Sequence, residues 1–152
     1  MKNILFVCLG NICRSSAAEG VFRQKVEQAG LAGEIMCDSA GLISYHEGEP
    51  SDPRMLRHAA QRGIHLTHLS RPITRSDFQQ FDMIICMDED NVRRIRQKGY
   101  PLDKVYMMAD YLERYDDDYI PDPYYSGDAA FEHVLDLLDD ACENLLNELK
   151  NK

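Results

Sequence analysis

Four apolar residues, Ile4-Leu5-Phe6-Val7, run into Cys8, and six positions later Arg14 stands just before a helix-like pattern begins at Ser15. Such an order reads as a strand, a tight loop and a helix N-terminus, with a thiol at one end of the loop and a guanidinium at the other. The residues between, Leu9-Gly10-Asn11-Ile12-Cys13, can curl so that their backbone N–H groups point inward at one anion, and the helix dipole adds positive potential there. A cysteine so placed is favoured as its thiolate, because helix N-termini and nearby cations stabilise that charge. Arg14 adds a planar fork able to hold two phosphate oxygens. A nucleophile facing a phosphate cradle implies phosphoryl transfer through cysteine. Spacing alone is weak, since a small hydrophobe ending a buried strand and a solvated helix arginine would give the same match. Of the five cysteines, only Cys8 has an arginine at this offset, and it lies where strand gives way to helix.

Strand and helix signals alternate along the rest of the chain. Strands are expected at 3–8, 34–39, 82–87 and 104–108; continuous apolar runs such as Met83-Ile84-Ile85-Cys86-Met87 suit a parallel sheet covered on both faces. One helix begins near Ser15, with Ala18, Val21, Phe22 and Val26 as its apolar stripe. A second begins near Asp52, with Pro53 in its first turn and Gly63 just past its end. A third spans 91–98 and stops at Gly99, and a last one runs from about Asp128 to Leu149. No repeat or linker interrupts them, so the expectation is an α/β fold. It would be a single doubly wound domain over residues 1–152, with a four-stranded parallel sheet and helices on both faces. Ligands in that architecture bind at the carboxyl ends of the strands, where Cys8 would be.

Composition narrows the partners. At 152 residues the chain is long enough to bury a full core without staples. A net charge of −9 argues against general binding to nucleic acid or a membrane surface, so any anion site must be local. The N-terminal apolar stretch is too short for a signal peptide, and no segment approaches a membrane span. Five irregularly spaced cysteines fit a reducing compartment better than a disulfide framework, so a cytoplasmic address is expected.

Displacing an alkoxide or phenoxide from phosphorus needs a proton donor for the leaving group. Asp122 stands out in the irregular stretch 109–127, because its flanking prolines stiffen the backbone that carries it. Tyr124 and Tyr125 follow and could wall an aromatic pocket. Local sequence leaves a simple Pro-Asp-Pro turn equally open. Asp116-Asp117-Asp118 is read as a solvated acidic run.

The segment from Val7 to Ser15, together with Asp122-Pro123-Tyr124-Tyr125, resembles the low-molecular-weight protein tyrosine phosphatases. Asp38-Ser39-Ala40 after the second strand, Asp52-Pro53-Arg54, Ser70-Arg71-Pro72-Ile73-Thr74 and Cys86-Met87-Asp88-Glu89 extend the resemblance over nearly the whole chain. It implies a cytoplasmic, metal-free enzyme without cofactor that hydrolyses phosphotyrosine in proteins through a cysteinyl-phosphate, as a monomer or weak dimer, with phosphate or vanadate as competing anions. Cys8 would be the nucleophile, Arg14 the phosphate clamp, and Asp122 the acid that later activates water. Ser15 would donate to the Cys8 sulfur. Asn11, Ser39 and His68 would hold the loop Leu9–Cys13 in shape, and Asp88 would orient Arg14. Leu9, Ile12, Tyr45 and Tyr124 would surround the substrate ring, with His46 at a variable position that biases substrate choice. Tyr45 departs from the Trp of many bacterial members, and Ser16 from a common Pro.

The remaining features receive structural readings. His58, His65 and His133 are assigned to the surface or to helix faces, having no metal-ligand spacing. Cys37, Cys86 and Cys142 are assigned to the interior, and Met107-Met108 to the core. For Cys13, packing and a redox role stay open. Three rivals to the main reading are arsenate reduction, phosphoarginine hydrolysis and a non-catalytic phosphotyrosine-binding module. The first lacks a mobile thiol pair after Cys86. Family members with the second activity are similar but carry a Thr where Ile12 stands, so the apolar Ile12 favours a phenyl ring, and the third would be expected to lose Cys8 or Asp122.

Overall fold

The computed structural model describes residues 1–151. Strands β1 (Lys2–Cys8), β2 (Ile35–Gly41), β3 (Met83–Cys86) and β4 (Val105–Met107) form one sheet in the order β2-β1-β3-β4, with every pair parallel. Helices α1 (Arg14–Gln28), α2 (Pro53–Gln61), α3 (Asp77–Gln80), α4 (Glu89–Gln97) and α5 (Asp128–Lys150) connect and cover it, and a 3-10 turn occupies Met108–Tyr111. The architecture matches the expected α/β class. Successive strand side chains point to opposite faces, and β1 serves both. Ile4, Phe6 and Cys8 pack toward α1, α2 and α5, whereas Leu5 and Val7 face α3 and α4 through Phe78 and Ile95. Phe6 meets Phe22 of α1 edge-on at 5.5 Å, both fully buried, and each such side chain contributes roughly 2–3 kcal/mol of burial.

The strand order places the reversal point between β1 and its two neighbours, β2 and β3. The loop after β1 therefore opens into the crevice at the carboxyl ends of the strands. Gly41 at the end of β2 lets that loop settle: a Cβ there would lie 3.0 Å from Asn11 Cβ and 3.1 Å from the Leu9 carbonyl oxygen.

Several boundaries differ from the sequence reading. The second strand extends through Gly41, so Asp38-Ser39-Ala40 lies inside it rather than after it. The third main helix starts at Glu89 because Asp88 caps it, its carboxylate accepting from Asn91 N–H while the Asn91 side chain reaches back. The four-residue α3 and the 3-10 turn were not anticipated. Met108 is buried as expected, but Met107 is only half-buried.

Three side chains depart from their expected surroundings. His58 is buried, not on the surface: it pairs with Glu132 and, at 3.1 Å, with Asp128, and stacks on Phe131. Cys37 is half-buried, since β2 is an edge strand, and its thiol hydrogen points at the Glu19 carbonyl. Within the acidic run, Asp117 is not merely solvated but meets His133 at 2.9 Å.

Candidate active site

The loop from Leu9 to Cys13 carries a conformation that few side chains tolerate. Asn11 has φ of 60°, the left-handed region, where a non-glycine residue is strained unless its surroundings compensate. Four hydrogen bonds do so. The Asn11 amide nitrogen donates to Ser15 Oγ at 2.8 Å and to Ser39 Oγ at 3.1 Å. Its carbonyl oxygen lies 2.8 Å from His68 Nε2 and accepts from the Arg71 N–H at 3.0 Å. Ser70 donates to the Gly10 carbonyl and the Asp52 N–H to the Ile12 carbonyl, so carbonyls are drawn outward. Among the described residues, the N–H groups of Gly10 to Cys13 meet no protein acceptor. That is the arrangement of an anion cradle.

Cys8 ends β1 at the bottom of this loop. Its sulfur lies 3.0 Å from Ser15 Oγ and 3.4 Å from the Ser15 N–H, two groups able to donate to a thiolate. Arg14, only 3% exposed, donates from one nitrogen to Asp88 Oδ2 at 2.6 Å and to the Ile120 carbonyl at 3.0 Å; its other terminal nitrogen is 3.8 Å from Asp122. Burial alone would lower the Arg14 pKa, but the Cys8 sulfur, Asp88 and Asp122 outweigh it and hold the guanidinium charged. Burial, with Asp52 nearby, pushes the Cys13 thiol far above its ordinary value.

A cleft of about 280 Å³ stands over the loop. Cys8, Leu9, Gly10, Ile12, Cys13, Arg14, Tyr45, His46, Asp122, Tyr124 and Tyr125 all reach it, along with Ile43, which the sequence reading missed. Asn11, Ser15, Ser39, His68 and Asp88 sit behind it as supports. The His46 ring lies 4.7 Å from that of Tyr45 and 6.2 Å from that of Tyr124, so the three form one wall. Asp122, more than a third exposed, accepts the Tyr124 N–H at 3.1 Å, the turn its prolines favour. Its carboxylate nonetheless faces the Arg14 fork.

A second layer of polar contacts lies behind the loop. Glu19, one turn after Ser15 on α1, is almost wholly buried; it accepts from Ser39 Oγ at 2.8 Å, lies 3.1 Å from His68 Nδ1 and pairs with Arg23 at 2.7 Å. Burial pushes its carboxyl up, but His68, Ser39 and Arg23 prevail and hold it below the ordinary value of 4.5. His68 thus links α1, β2 and the loop Leu9–Cys13. The i+4 relation of Glu19 to Ser15 on α1 was the one signal that could have flagged it.

Comparison with known proteins follows the same lines. Residues 3–152 match the model of the low molecular weight phosphotyrosine protein phosphatase family. A relative from Synechocystis sp. is 50% identical over 149 residues, spanning 96% of this chain and 95% of its own. The low molecular weight phosphotyrosine protein phosphatase of Rattus norvegicus is 40% identical, covering 97% and 95% respectively. A crystal structure of a protein tyrosine phosphatase from Entamoeba histolytica, with Hepes in its active site, superimposes with a TM-score of 0.95 at 42% identity over 99% of this chain and 98% of that one.

Proposed function

The chain belongs to the low molecular weight phosphotyrosine protein phosphatase family, and from that premise we propose that it hydrolyses protein phosphotyrosine through a phosphate ester of Cys8. It is an enzyme of the protein-tyrosine-phosphatase class. The observation that carries the mechanism is the convergence of Cys8, Arg14 and Asp122 on one cleft floored by free N–H groups. The dianionic phosphate settles on those N–H groups, with the Arg14 fork across two of its oxygens. The Cys8 thiolate attacks phosphorus in line; the P–O bond to the phenol breaks, and the protonated Asp122 gives its proton to the departing oxygen. Asp122, now a carboxylate, takes a proton from water as that water attacks the cysteinyl-phosphate. The P–S bond breaks, inorganic phosphate leaves, and Ser15 stabilises the returning thiolate through its N–H and hydroxyl. Every proton and electron pair is accounted for by these side chains and water.

Hepes is a sulfonate, and its place in the active site of the Entamoeba relative fits an oxyanion cradle. Ile12 and the Tyr45, His46 and Tyr124 wall favour a phenyl ring over the charged guanidine of phosphoarginine. The site residues named above, the action of residues 1–152 as one domain and a cytoplasmic location are parts of the same proposal. Five free thiols fit a reducing compartment, and among the described residues no helix is long and apolar enough to cross a membrane.

Rapid quenching of a reaction with a phosphotyrosine peptide tests the reading. Mass spectrometry should find a phosphate on Cys8, with turnover unaffected by EDTA, and Cys8→Ser should abolish both the adduct and turnover. Turnover without a Cys8 adduct, or its loss in EDTA, overturns the mechanism.

A further inference from the structure

The general acid of the proposed mechanism stands on a loop with few ties to the rest of the protein. Ile120 N–H is fixed to the Met87 carbonyl, and Asp128 opens α5. Among the described residues, the side chains that reach the loop backbone from the body of the protein are Arg14, which donates to the Ile120 carbonyl at its start, and Arg54, which holds the part beyond Asp122. Arg54 donates to the Tyr124 carbonyl at 2.8 Å and to the Ser126 carbonyl at 3.3 Å. Its guanidinium also lies over the rings of Phe131 at 4.7 Å and Tyr124 at 5.6 Å.

Arg54 is itself held. Its Nε and one terminal nitrogen fork onto the two oxygens of Asp52, at 3.1 and 2.9 Å, and its backbone N–H caps onto the same carboxylate at 2.8 Å. Asp52 is nearly buried, begins α2, and donates its N–H to the Ile12 carbonyl at 2.8 Å. A continuous chain of contacts therefore runs from the phosphate loop at Ile12, through Asp52 and Arg54, to Tyr124, whose N–H in turn meets the Asp122 carboxylate. Asp122 has no closer anchor than that N–H; Arg14 stands at 3.8 Å.

We infer that Arg54 is a positioning residue that sets the loop carrying Asp122 at a fixed distance from the phosphate loop. The inference rests on the reading of Asp122 as general acid. Arg54 is absent from the residues that line the cleft. Its effect should therefore appear only where proton donation matters, because geometry controls how well a donor meets the leaving oxygen.

The test compares kcat/KM for phenyl phosphate, a poor leaving group, with that for 2,4-dinitrophenyl phosphate, which leaves without help. R54A should lose about ten- to a hundredfold on the first and only a few-fold on the second. R54K, which keeps the charge and the stem but lacks the planar fork, should remain impaired on phenyl phosphate; it also serves if R54A melts below the assay temperature. In a D122N background, R54A should cost nothing further on phenyl phosphate. Equal losses on both esters, or a full additional loss on top of D122N, overturn the positioning role. Insensitivity of D122N alone to the leaving group overturns the acid assignment itself. A sensitive D122N beside an insensitive R54A leaves the acid standing and removes Arg54.

Discussion

Arg14 and Asp88 meet at 2.6 Å with the arginine almost wholly buried, and the same carboxylate residue caps α4. One guanidinium nitrogen is thereby committed to the protein, which fixes the plane of the fork over the cradle. Removing the anchor leaves a buried cation free to turn, so Asp88→Ala should lower kcat/KM about ten- to a hundredfold. It should also cost about 1 kcal/mol through the lost cap. Asp88→Asn keeps the cap, so its stability should stay near that of the parent while activity still falls. Steady-state kinetics beside thermal melts separate the two effects. Full activity in Asp88→Ala would show that Arg14 needs no anchor.

On the proposed reading, the aromatic wall carries the choice of substrate. Tyr124 packs against His46 and under Arg54, and Ile12 lines the floor. Phosphotyrosine peptides should be cleaved far faster than phosphoserine, phosphothreonine or phosphoarginine ones. Tyr124→Ala should act mainly by raising KM for aromatic substrates, as expected for a lost ring contact of roughly 1 kcal/mol. Competition assays with peptides matched outside the phosphorylated residue measure this directly. A preference of the unaltered enzyme for phosphoarginine would contradict the role given to Ile12.

Glu19 provides a pH dependence with a definite sign. Its carboxyl is held below the ordinary value of 4.5 in the folded protein, although burial opposes this. A depressed carboxyl contributes stability that is fully present above the unfolded value and is lost as pH falls through the folded one. Melting temperature should therefore drop as pH falls below 4.5, and Glu19→Gln should flatten part of that fall while being less stable near neutrality. Other carboxylates with the same sign, Asp52 and Asp140 among them, will keep some slope. Identical melting profiles for Glu19→Gln and the parent would remove Glu19 from the account.

The parts legible in the sequence are those with local causes. The strand ending at Cys8 is a continuous apolar run, α2 carries its cap at Asp52, and α5 repeats its apolar stripe over six turns, whereas the Asp88 cap went unread and α4 was begun two residues late. Helix α3 has four residues, too few to show a period, and so left no trace. Buried polar groups were harder, because their partners lie far along the chain. His58 is paid for by residues 70 and 74 positions later, and Glu19 meets His68 across 49 residues. Composition and spacing carry no record of such meetings. The resemblance named Asn11, Ser39 and His68, yet only the structure adds Glu19 beneath them.

Thiol chemistry gives the last test, and it discriminates among five cysteines in one experiment. Alkylation requires the thiolate. Burial pushes Cys37 and Cys86 up to about 12, and Cys13 and Cys142 higher still, so at neutral pH these four are held as thiols. Cys8 differs in its surroundings: the Ser15 N–H and hydroxyl point at its sulfur, and Arg14 stands in the same cleft. Iodoacetate, itself a carboxylate, can use the anion cradle to reach it. Peptide mapping after brief treatment at pH 7 should find carboxymethyl on Cys8, with activity lost in step. Inorganic phosphate should slow both by occupying the cradle. Uncharged iodoacetamide should react more slowly at the same site and with weaker protection by phosphate. Labelling of Cys13 before Cys8 would mean that the loop opens in solution and that its closed shape is not what singles out the nucleophile.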